Sequence, residues 1–346
     1  MITIQNLTLR IAGRALLEEA SAQLPSGQCT GLVGRNGTGK STLLNAIIAP
    51  EAVDQGEIRL PTKIKIGLSR QEAPSGSMSL IDTVLHSDAE RQGLLEQIEA
   101  GDAAAQERFE AIDGFSGPAR AAKILAGLGF DEESQQQPCD SYSGGWRMRV
   151  ALASLLFQAP DLLLLDEPSN HLDLEATLWL ESYLKRYPGT ILLVSHDRSL
   201  LNNLCQSILH LNNQRLTLYA GNFDRFQKTR AEQLALDQKR AAKQAAQAKH
   251  MQAFVDRFRY KASKARQAQS RLKMLEKMQP IAVEEAGTKP RIVFPEVETL
   301  PPPLVKLEGA AVGYDDQPVL SRLNLRLDSD DRIARLSCVL AISPSI

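Results

Sequence analysis

Gly34-Arg-Asn-Gly-Thr-Gly-Lys-Ser41 is the stretch that decides the fold, because it matches the phosphate-loop pattern G-x-x-x-x-G-K-[ST]. An apolar run at residues 29–33 precedes it and predicts a strand, and residues 42–48 predict a helix. Loop glycines let backbone N–H groups approach phosphate oxygens, and the N-terminus of a helix favours an anion. The sequence therefore predicts an α/β domain that binds a nucleotide.

Each side chain of this loop has an expected role. Lys40 is expected to reach the outer phosphates, and the Ser41 hydroxyl to bind Mg²⁺. The loop alone does not separate kinases, GTPases and ATPases. A GTPase would need N-K-x-D, whereas Asn170-His-Leu-Asp173 has His in place of Lys. The residues predicted to contact the nucleotide here are Gly34, Arg35, Asn36, Gly37, Thr38, Gly39, Lys40, Ser41 and Thr42.

Asp161-Leu-Leu-Leu-Leu-Asp166-Glu167-Pro168 is an apolar strand that ends in two acids. Side chains alternate along a strand, so Asp166 and Glu167 are expected to point to opposite sides and to have separate roles. Asp166 is assigned to the Mg²⁺ site, and Glu167 to the orientation and deprotonation of the attacking water. A buried strand with a charged end is the structural alternative, and the position of the pair after the phosphate loop favours function.

Two further polar residues follow predicted strands. His196 follows the apolar run at residues 189–194, at the end of the strand where α/β sheets place ligands. It is predicted to contact the γ-phosphate or the water. Gln71 follows the run at residues 64–69 and is predicted to meet the metal or the water.

Composition narrows the class of protein. The four cysteines lie far apart without C-x-x-C spacing, which argues against a zinc site or a disulfide framework. No stretch reaches the roughly 18 apolar residues of a membrane helix, and the N-terminus lacks the pattern of a signal peptide. We therefore expect a cytoplasmic protein with no membrane insertion.

The chain divides into four predicted parts. Residues 1–225 form the α/β domain, with a helical insertion at about 79–140. Residues 226–280 form a basic helical linker, expected to be a hairpin of two helices of roughly 25 residues. Between Arg225 and Met278, fifteen Lys and Arg against four Asp and Glu give a net charge of +11, in a chain whose net charge is −1. A Lys- and Arg-rich hairpin suits nucleic-acid phosphates; a solvated charged helix pair is the alternative. Residues 281–303, rich in proline, form an extended connector.

Residues 304–346 are predicted to begin a second copy of the first domain. Ile2-Thr-Ile-Gln-Asn-Leu aligns with Val305-Lys-Leu-Glu-Gly-Ala at an offset of 303, and the match is one of pattern more than identity. At this offset a second phosphate loop is expected at Ser337, where Ser-Cys-Val-Leu-Ala-Ile-Ser-Pro has neither glycine nor lysine. The expectation is a truncated or frame-shifted second domain.

The motif most specific for a family is Tyr142-Ser143-Gly144-Gly145-Trp146-Arg147, which precedes a helix-like run at residues 148–157. Ser143, Gly144 and Gly145 at a helix start could make a second phosphate contact. The motif resembles the L-S-G-G-Q signature of ATP-binding-cassette proteins, with Tyr142 for Leu and Trp146 for Gln. The ordered set implies that ATP is the nucleotide and that the chain is an ATPase.

Within that family the chain resembles the ABC-F group, whose members carry two cassettes in one chain. The resemblance rests on Pro168-Ser-Asn-His-Leu-Asp173, on Ser143-Gly-Gly-Trp-Arg-Met-Arg149, on the missing membrane spans and on the basic linker. Residues 254–275 are very similar to the linker of the bacterial YheS/Uup type. It implies a translation factor or regulator on the ribosome, whose linker contacts rRNA and tRNA. One departure is Ile11, where many cassettes stack an aromatic ring on adenine; the aligned residue of the second copy is Tyr314.

The family resemblance also implies that each ATP lies between the phosphate loop of one cassette and the signature of another. We therefore expect little turnover by this chain unless the first cassettes of two chains pair. Two alternatives stay open: an ATPase subunit of a membrane transporter, and a product that binds nucleotide without efficient hydrolysis. The basic linker and the second copy argue against the transporter subunit.

Overall fold

The structure is a computed structural model that describes residues 1–11, 13–50, 53–69, 73–258, 269–270, 272–275, 302–314, 317–328 and 331. It falls into two units, residues 1–283 and 284–346. The strands of the first unit are β1 (Ile2–Ile11), β2 (Arg14–Leu24), β3 (Cys29–Gly34), β4 (Gln55–Arg59), β5 (Ile66–Leu68), β6 (Leu162–Asp166), β7 (Thr190–Val194), β8 (Ser207–Asn212) and β9 (Arg215–Ala220). Its helices are α1 (Lys40–Ile48), α2 (Leu80–His86), α3 (Ala89–Glu99), α4 (Ala103–Ala111), α5 (Gly117–Gly127), α6 (Glu132–Gln135), α7 (Gly144–Gln158), α8 (Leu174–Leu184), α9 (Arg198–Leu204) and α10 (Phe223–Phe258).

The main sheet has the strand order β5-β6-β7-β3-β8-β9, with only the β8–β9 pair antiparallel. Strands of a parallel sheet are buried on both faces, which is why β6 and β7 are continuous apolar runs. The strand–loop–helix order β3, phosphate loop, α1 agrees with the sequence prediction. The α/β architecture is therefore confirmed.

A second, antiparallel sheet has the order β2-β1-β4 and shares an apolar core with α1 and one face of the main sheet. Helices α2 to α6 lie between β5 and α7 in the chain, inside the range predicted for the helical insertion. Four of them begin at a Ser or Asp whose side chain accepts a backbone N–H bond, the usual start of a helix. These capping residues are Ser79, Asp88, Asp102 and Asp131.

Helix α10 has 36 residues and extends about 54 Å at 1.5 Å per residue. It is longer than the helix of roughly 25 residues predicted for the linker, because no glycine or proline interrupts it. Its first turn belongs to the core of the first unit, since Phe223 and Phe226 are buried there. The turn of the predicted hairpin lies outside the described residues. Among the helices that are described, none is both long and apolar enough to cross a membrane.

The second unit contains β10 (Val305–Tyr314) and β11 (Gln317–Leu327), which pair antiparallel. Adding 303 to both residue numbers of any β1–β2 pair gives a β10–β11 pair. Ile2↔Leu24, for example, corresponds to Val305↔Leu327. A break in the regular strand pairing also occurs at the same place in both hairpins. Asn6 and Gly309 both have positive φ, and their backbone N–H groups donate to the side chains of Ser21 and Asn324. The internal repeat predicted from the sequence is therefore present as a hairpin of the same register.

Candidate nucleotide site

A cavity of about 540 Å³ opens where β3 and β6 end, the edge of a parallel sheet at which ligands bind. Its volume lies in the range of small-molecule sites. It brings together residues that are far apart in the sequence. The lining residues are Ile11, Arg14, Leu16, Asn36, Gly37, Gly39, Lys40, Ser41, Thr42, Asp166, Glu167 and His196.

Side chains of the phosphate loop donate hydrogen bonds to the loop's own backbone carbonyls. The Lys40 Nζ donates to the carbonyl oxygens of Gly34 at 3.0 Å and Arg35 at 3.3 Å, so the ammonium group spans the loop. The Thr38 hydroxyl donates to the same Arg35 carbonyl at 2.8 Å. Gly39 lies just before α1 with φ 99°, a conformation that glycine adopts without strain. The loop therefore presents backbone N–H groups, a helix N-terminus and a cation to one space.

Ser41 and Asp166 meet across the cavity, although 125 positions separate them. The Ser41 Oγ donates to Asp166 Oδ2 at 2.6 Å, and the Asp166 N–H donates to Ser69 Oγ at 2.8 Å. A hydroxyl and a carboxylate are hard oxygen ligands, which Mg²⁺ prefers, and this ion commonly takes only one or two protein ligands beside phosphates and water. In the described part of the chain, no cluster of three or more His, Cys, Asp or Glu could hold a metal. The pair thus fits an ion that also needs phosphate ligands.

Glu167 and His196 form the other wall of the cavity. The His196 N–H donates to Glu167 Oε2 at 3.2 Å, and the His196 Nε2 lies 3.3 Å from Glu167 Oε1. That second contact lacks hydrogen-bond geometry, so Oε1 is a buried oxygen with no hydrogen-bond partner among the described residues. The Glu167 side chain is 19% exposed and that of His196 is 64% exposed. The carboxylate is therefore held by a backbone donor and keeps one oxygen unpaired.

The prediction that Asp166 and Glu167 point to opposite sides is wrong. Strand β6 ends at Asp166, and Glu167 has φ 49°, outside the extended region. Strand alternation holds only while the backbone stays extended. Both carboxyl residues consequently line the same cavity.

The signature residues lie outside this cavity. Ser143, Gly144 and Gly145 begin α7, and none of them is among its lining residues. The Ser143 side chain makes no capping bond, and a Cβ built on Gly144 would meet no atom within 4 Å. The start of α7 is thus an uncovered helix N-terminus, and its predicted phosphate contact stays a prediction.

Gln71, predicted to act at the metal or the water, lies outside the described residues. The structure adds cavity residues that the sequence did not single out, namely Arg14 and Leu16, which reach the cavity through the β1–β2 hairpin. Only the alignment of two strands brings them there, so no local motif could have indicated them.

Sequence reasoning also assigned no individual role to Arg149. The residue is 8% exposed within a largely apolar helix, and its guanidinium donates to the carbonyls of Leu128 at 3.1 Å and His171 at 2.8 Å. It also pairs with Asp173 Oδ2 at 2.9 Å and lies 4.2 Å from the centre of the Trp146 ring. Burial raises the pKa of Asp173, but the Ala176 N–H and Arg149 outweigh it and hold that pKa below its usual value. The sequence signal that could have indicated Arg149 is a charged residue next to the apolar run of α7.

Two family models, each described as ABC transporter, match residues 17–170 and 209–294. The probable ATP-binding protein YheS of Escherichia coli K12 is 41% identical over 344 residues, covering 97% of this chain and 54% of YheS. The ATP-binding cassette sub-family F member 3 of Homo sapiens is 42% identical over 350 residues, covering 96% of this chain and 48% of that protein. The chain spans about half the length of the curated relatives it matches.

Among solved structures, the ATP-binding subunit of an ABC transporter superimposes with a TM-score of 0.51 at 18% identity, covering 67% of this chain and 93% of that one. At that identity the likeness concerns the fold alone, and it confirms the predicted P-loop cassette fold. The relatives at 41 and 42% identity match nearly the whole chain. On these grounds the chain belongs to the ABC-F family of ATP-binding-cassette ATPases.

Proposed function

We propose that this chain binds ATP with Mg²⁺ in the cavity and hydrolyses the bond to the γ-phosphate. The observation that carries the proposal is the unpaired Oε1 of Glu167, buried beside His196 in the same cavity as the phosphate loop. A buried polar atom without a partner costs stability, so its presence favours a ligand or a water as its partner.

In this proposal the phosphate loop and Lys40 hold the phosphates, and Ser41 with Asp166 holds the metal. Mg²⁺, when bound, supplies positive charge against the phosphate oxygens and the developing charge of the leaving group. Lys40 adds a second positive charge, and the N-terminus of α1 adds its dipole. These groups position and neutralise the phosphates, which is most of what phosphoryl transfer requires.

Glu167 then accepts a hydrogen bond from the attacking water through Oε1 and takes up its proton. As the bond from the water oxygen to the γ-phosphorus forms, the bond from that phosphorus to the β–γ bridging oxygen breaks, and ADP leaves. The His196 N–H keeps the carboxylate in place by its bond to Oε2. The exposed His196 ring is left to contact the γ-phosphate or the water. This division gives each of the two side chains a separate part in the reaction.

The test is Glu167→Gln, which keeps the shape of the side chain and removes its capacity to accept a proton. We expect ATP affinity within about threefold of wild type and a fall in the hydrolysis rate of at least about a hundredfold. Glu175→Gln, at the exposed start of α8, is the matched control and should leave both quantities unchanged. Turnover at the wild-type rate in Glu167→Gln would remove Glu167 from this role.

We also propose that a closed site needs a signature from another cassette, supplied by a second chain when first cassettes pair. The start of α7 is exposed, and its residues are not among those that line the cavity, which supports this arrangement. Measured across protein concentrations, the ATPase rate per chain should then rise with concentration. A substantial rate that does not depend on concentration would contradict pairing.

Finally, we propose that the protein acts on the ribosome in the cytoplasm as a translation factor or regulator, with its linker against rRNA and tRNA. Two observations support this over a transporter subunit: the long basic helix α10 and the repeated hairpin that follows the linker. Lys and Arg on an extended helix can neutralise phosphates along a nucleic-acid backbone.

A further inference from the structure

Strand β10 has one edge that is unpaired among the described residues. The strand of the first unit that corresponds to it, β1, pairs with β2 on one side and with β4 on the other. Strand β10 pairs with β11 on the side that corresponds to β2, and no described strand lies along its other side. A strand edge of this kind presents unpaired N–H and C=O groups, which favour pairing with a further strand.

The apolar face of the second hairpin is uncovered as well. Leu9 and Leu17 of the first hairpin are only 5% and 1% exposed, because they belong to the core shared with α1. The residues at the same places in the second hairpin, Val312 and Leu320, are 57% and 54% exposed. A hairpin of two strands is marginally stable in water unless further strands or a helix pack on it. The second hairpin therefore needs a further partner.

A strand with the charges of β4 does not fit the open edge of β10. In the first unit, Glu57 and Arg59 of β4 lie opposite uncharged residues of β1. At the corresponding positions of β10 they would meet Glu308 and Lys306, so both pairs would carry like charges. Like charges directly opposite each other in a sheet are destabilising.

The edge of β10 is complementary to itself. The strand reads Lys306-Leu307-Glu308, so a second copy paired antiparallel about Leu307 places each Lys306 opposite a Glu308. The two Leu307 side chains then meet, as Ile4 meets Ile58 in the first unit. The side chains of Lys306 and Glu308 are 57% and 73% exposed, and their ion pair within the strand can exchange for pairs between copies. A twofold arrangement makes each contact twice, as is usual in homodimers.

We propose that the outer edge of β10, at residues 306–308, is a self-association surface that pairs with the same edge of a second copy of this chain. The two hairpins then form one antiparallel sheet of four strands, in the order β11-β10-β10-β11. This contact is separate from the pairing of first cassettes, because it involves neither a nucleotide nor the cavity residues. Since the contact is small, we expect dimers at concentrations of about 10 µM and above.

The experiment is sedimentation velocity of the full chain over a range of concentrations, at low salt and without nucleotide. Wild type should change from monomer to dimer as concentration rises. Lys306→Glu and Glu308→Lys each place like charges opposite each other twice, and each should raise the dimer Kd by at least about fivefold. The double variant exchanges the two charges and should return the Kd to within about twofold of wild type. Lys123→Glu, an exposed change of the same sign in α5, is the control and should leave the Kd unchanged.

Mixing the two single variants tests the edge pairing directly. The Lys306→Glu chain has two acids at this edge and the Glu308→Lys chain has two bases, so a mixed pair has opposite charges at both positions. An equimolar mixture should therefore dimerise at least about fivefold more tightly than either variant alone. A wild-type chain that stays monomeric throughout, or a mixture no tighter than its components, would overturn the proposal. A wild-type dimer that both single variants leave unchanged would overturn it too, because another surface would then hold the copies together.

Discussion

At the scale of single residues, Glu167 has two features that each lower the stability of the folded protein. Its φ of 49° lies in the left-handed region, which side chains other than Asn, Asp and Gly adopt with strain. Its Oε1 is also buried without a hydrogen-bond partner among the described residues. Strain of this kind collects at functional sites, where the surrounding structure over-determines the backbone. The Glu167 N–H bond to the Val194 carbonyl, at 2.9 Å, is one such constraint.

We therefore predict that Glu167→Asn stabilises the protein while removing hydrolysis. Asparagine tolerates the left-handed conformation, and its shorter side chain removes the unpaired carboxylate oxygen. The expected gain is about 1 kcal/mol, seen as a rise in the unfolding midpoint of the first unit of about 2–4 °C.

Glu19→Asn is the matched control, because Glu19 also has a positive φ, 47°, and lies outside the cavity. It should show only the gain from backbone strain, and a smaller rise than Glu167→Asn. Equal shifts in the two variants would mean that the unpaired oxygen costs no stability. A lower midpoint in Glu167→Asn would contradict the strain argument as well.

At the scale of elements, Arg149 joins three segments that the chain order separates. From α7 it bonds to the end of α5 and to the segment 170–173, which follows Glu167 and leads into α8. The Asn170 N–H in turn bonds to the Glu167 carbonyl at 3.2 Å. A continuous set of contacts thus runs from the signature helix to the proposed catalytic residue. Arg149 acts through these neighbours as a positioning residue.

We predict that Arg149→Met destabilises the first unit by about 2 kcal/mol, because it leaves buried carbonyl oxygens without donors. Chemical denaturation of the variant measures this loss. Arg149→Lys should recover part of the stability but lower kcat more than it raises KM, since a compact ammonium group lacks the planar spread by which the guanidinium reaches three separate acceptors. Equal kcat in wild type and Arg149→Lys would show that the contact does not position Glu167.

The pH dependence follows from Asp173. Its pKa in the folded protein is below the usual value, so its contribution to stability is present above the unfolded pKa of about 3.9 and is lost as pH falls through the folded pKa. Arg149 is one cause of that lowering. The difference in stability between wild type and Arg149→Met should therefore shrink below about pH 4, and a constant difference would contradict the assignment.

At the scale of the whole molecule, the basic helix is continuous with the core that carries the nucleotide site. Phe226 packs against Tyr219 with ring centres 5.0 Å apart, and the Asp224 N–H donates to Asn202 Oδ1 at 2.9 Å. Asn202 belongs to α9, whose N-terminus Asp197 caps directly after His196. One short helix therefore separates the proposed γ-phosphate contact from the start of α10.

We predict that changing Lys261, Lys264 and Arg266 to Glu weakens co-sedimentation with ribosomes by at least about tenfold at low salt. Each reversal replaces an attraction for phosphate by a repulsion. Nucleotide affinity should not change, because these residues are remote in sequence from the cavity residues.

The control is a triple reversal of exposed cations outside the linker, at Lys123, Arg186 and Arg215 in the α/β domain. It changes the net charge equally and should leave pelleting close to wild type. If both triple variants pellet like wild type, the linker is not the ribosome contact. If both lose pelleting equally, net charge rather than the linker governs the interaction.

The sequence by itself determined the fold class, the phosphate loop and the repeat. These features depend on residues that are neighbours in the sequence. Residues 34–41 form a loop between a strand and a helix, and the hairpin at residues 305–327 has the same strand pairing as the hairpin at residues 2–24. Such features need only neighbouring residues and periodicity, and are therefore readable from the chain.

Only the tertiary structure decided how distant residues combine. It brought Ser41 to Asp166, turned Glu167 out of strand alternation into the same cavity, and carried Arg14 and Leu16 there from the hairpin. It also showed that the first residues of α7 are not among those that line this cavity. These outcomes depend on strand order in the sheet and on one backbone angle, and neither is encoded in the spacing of a motif.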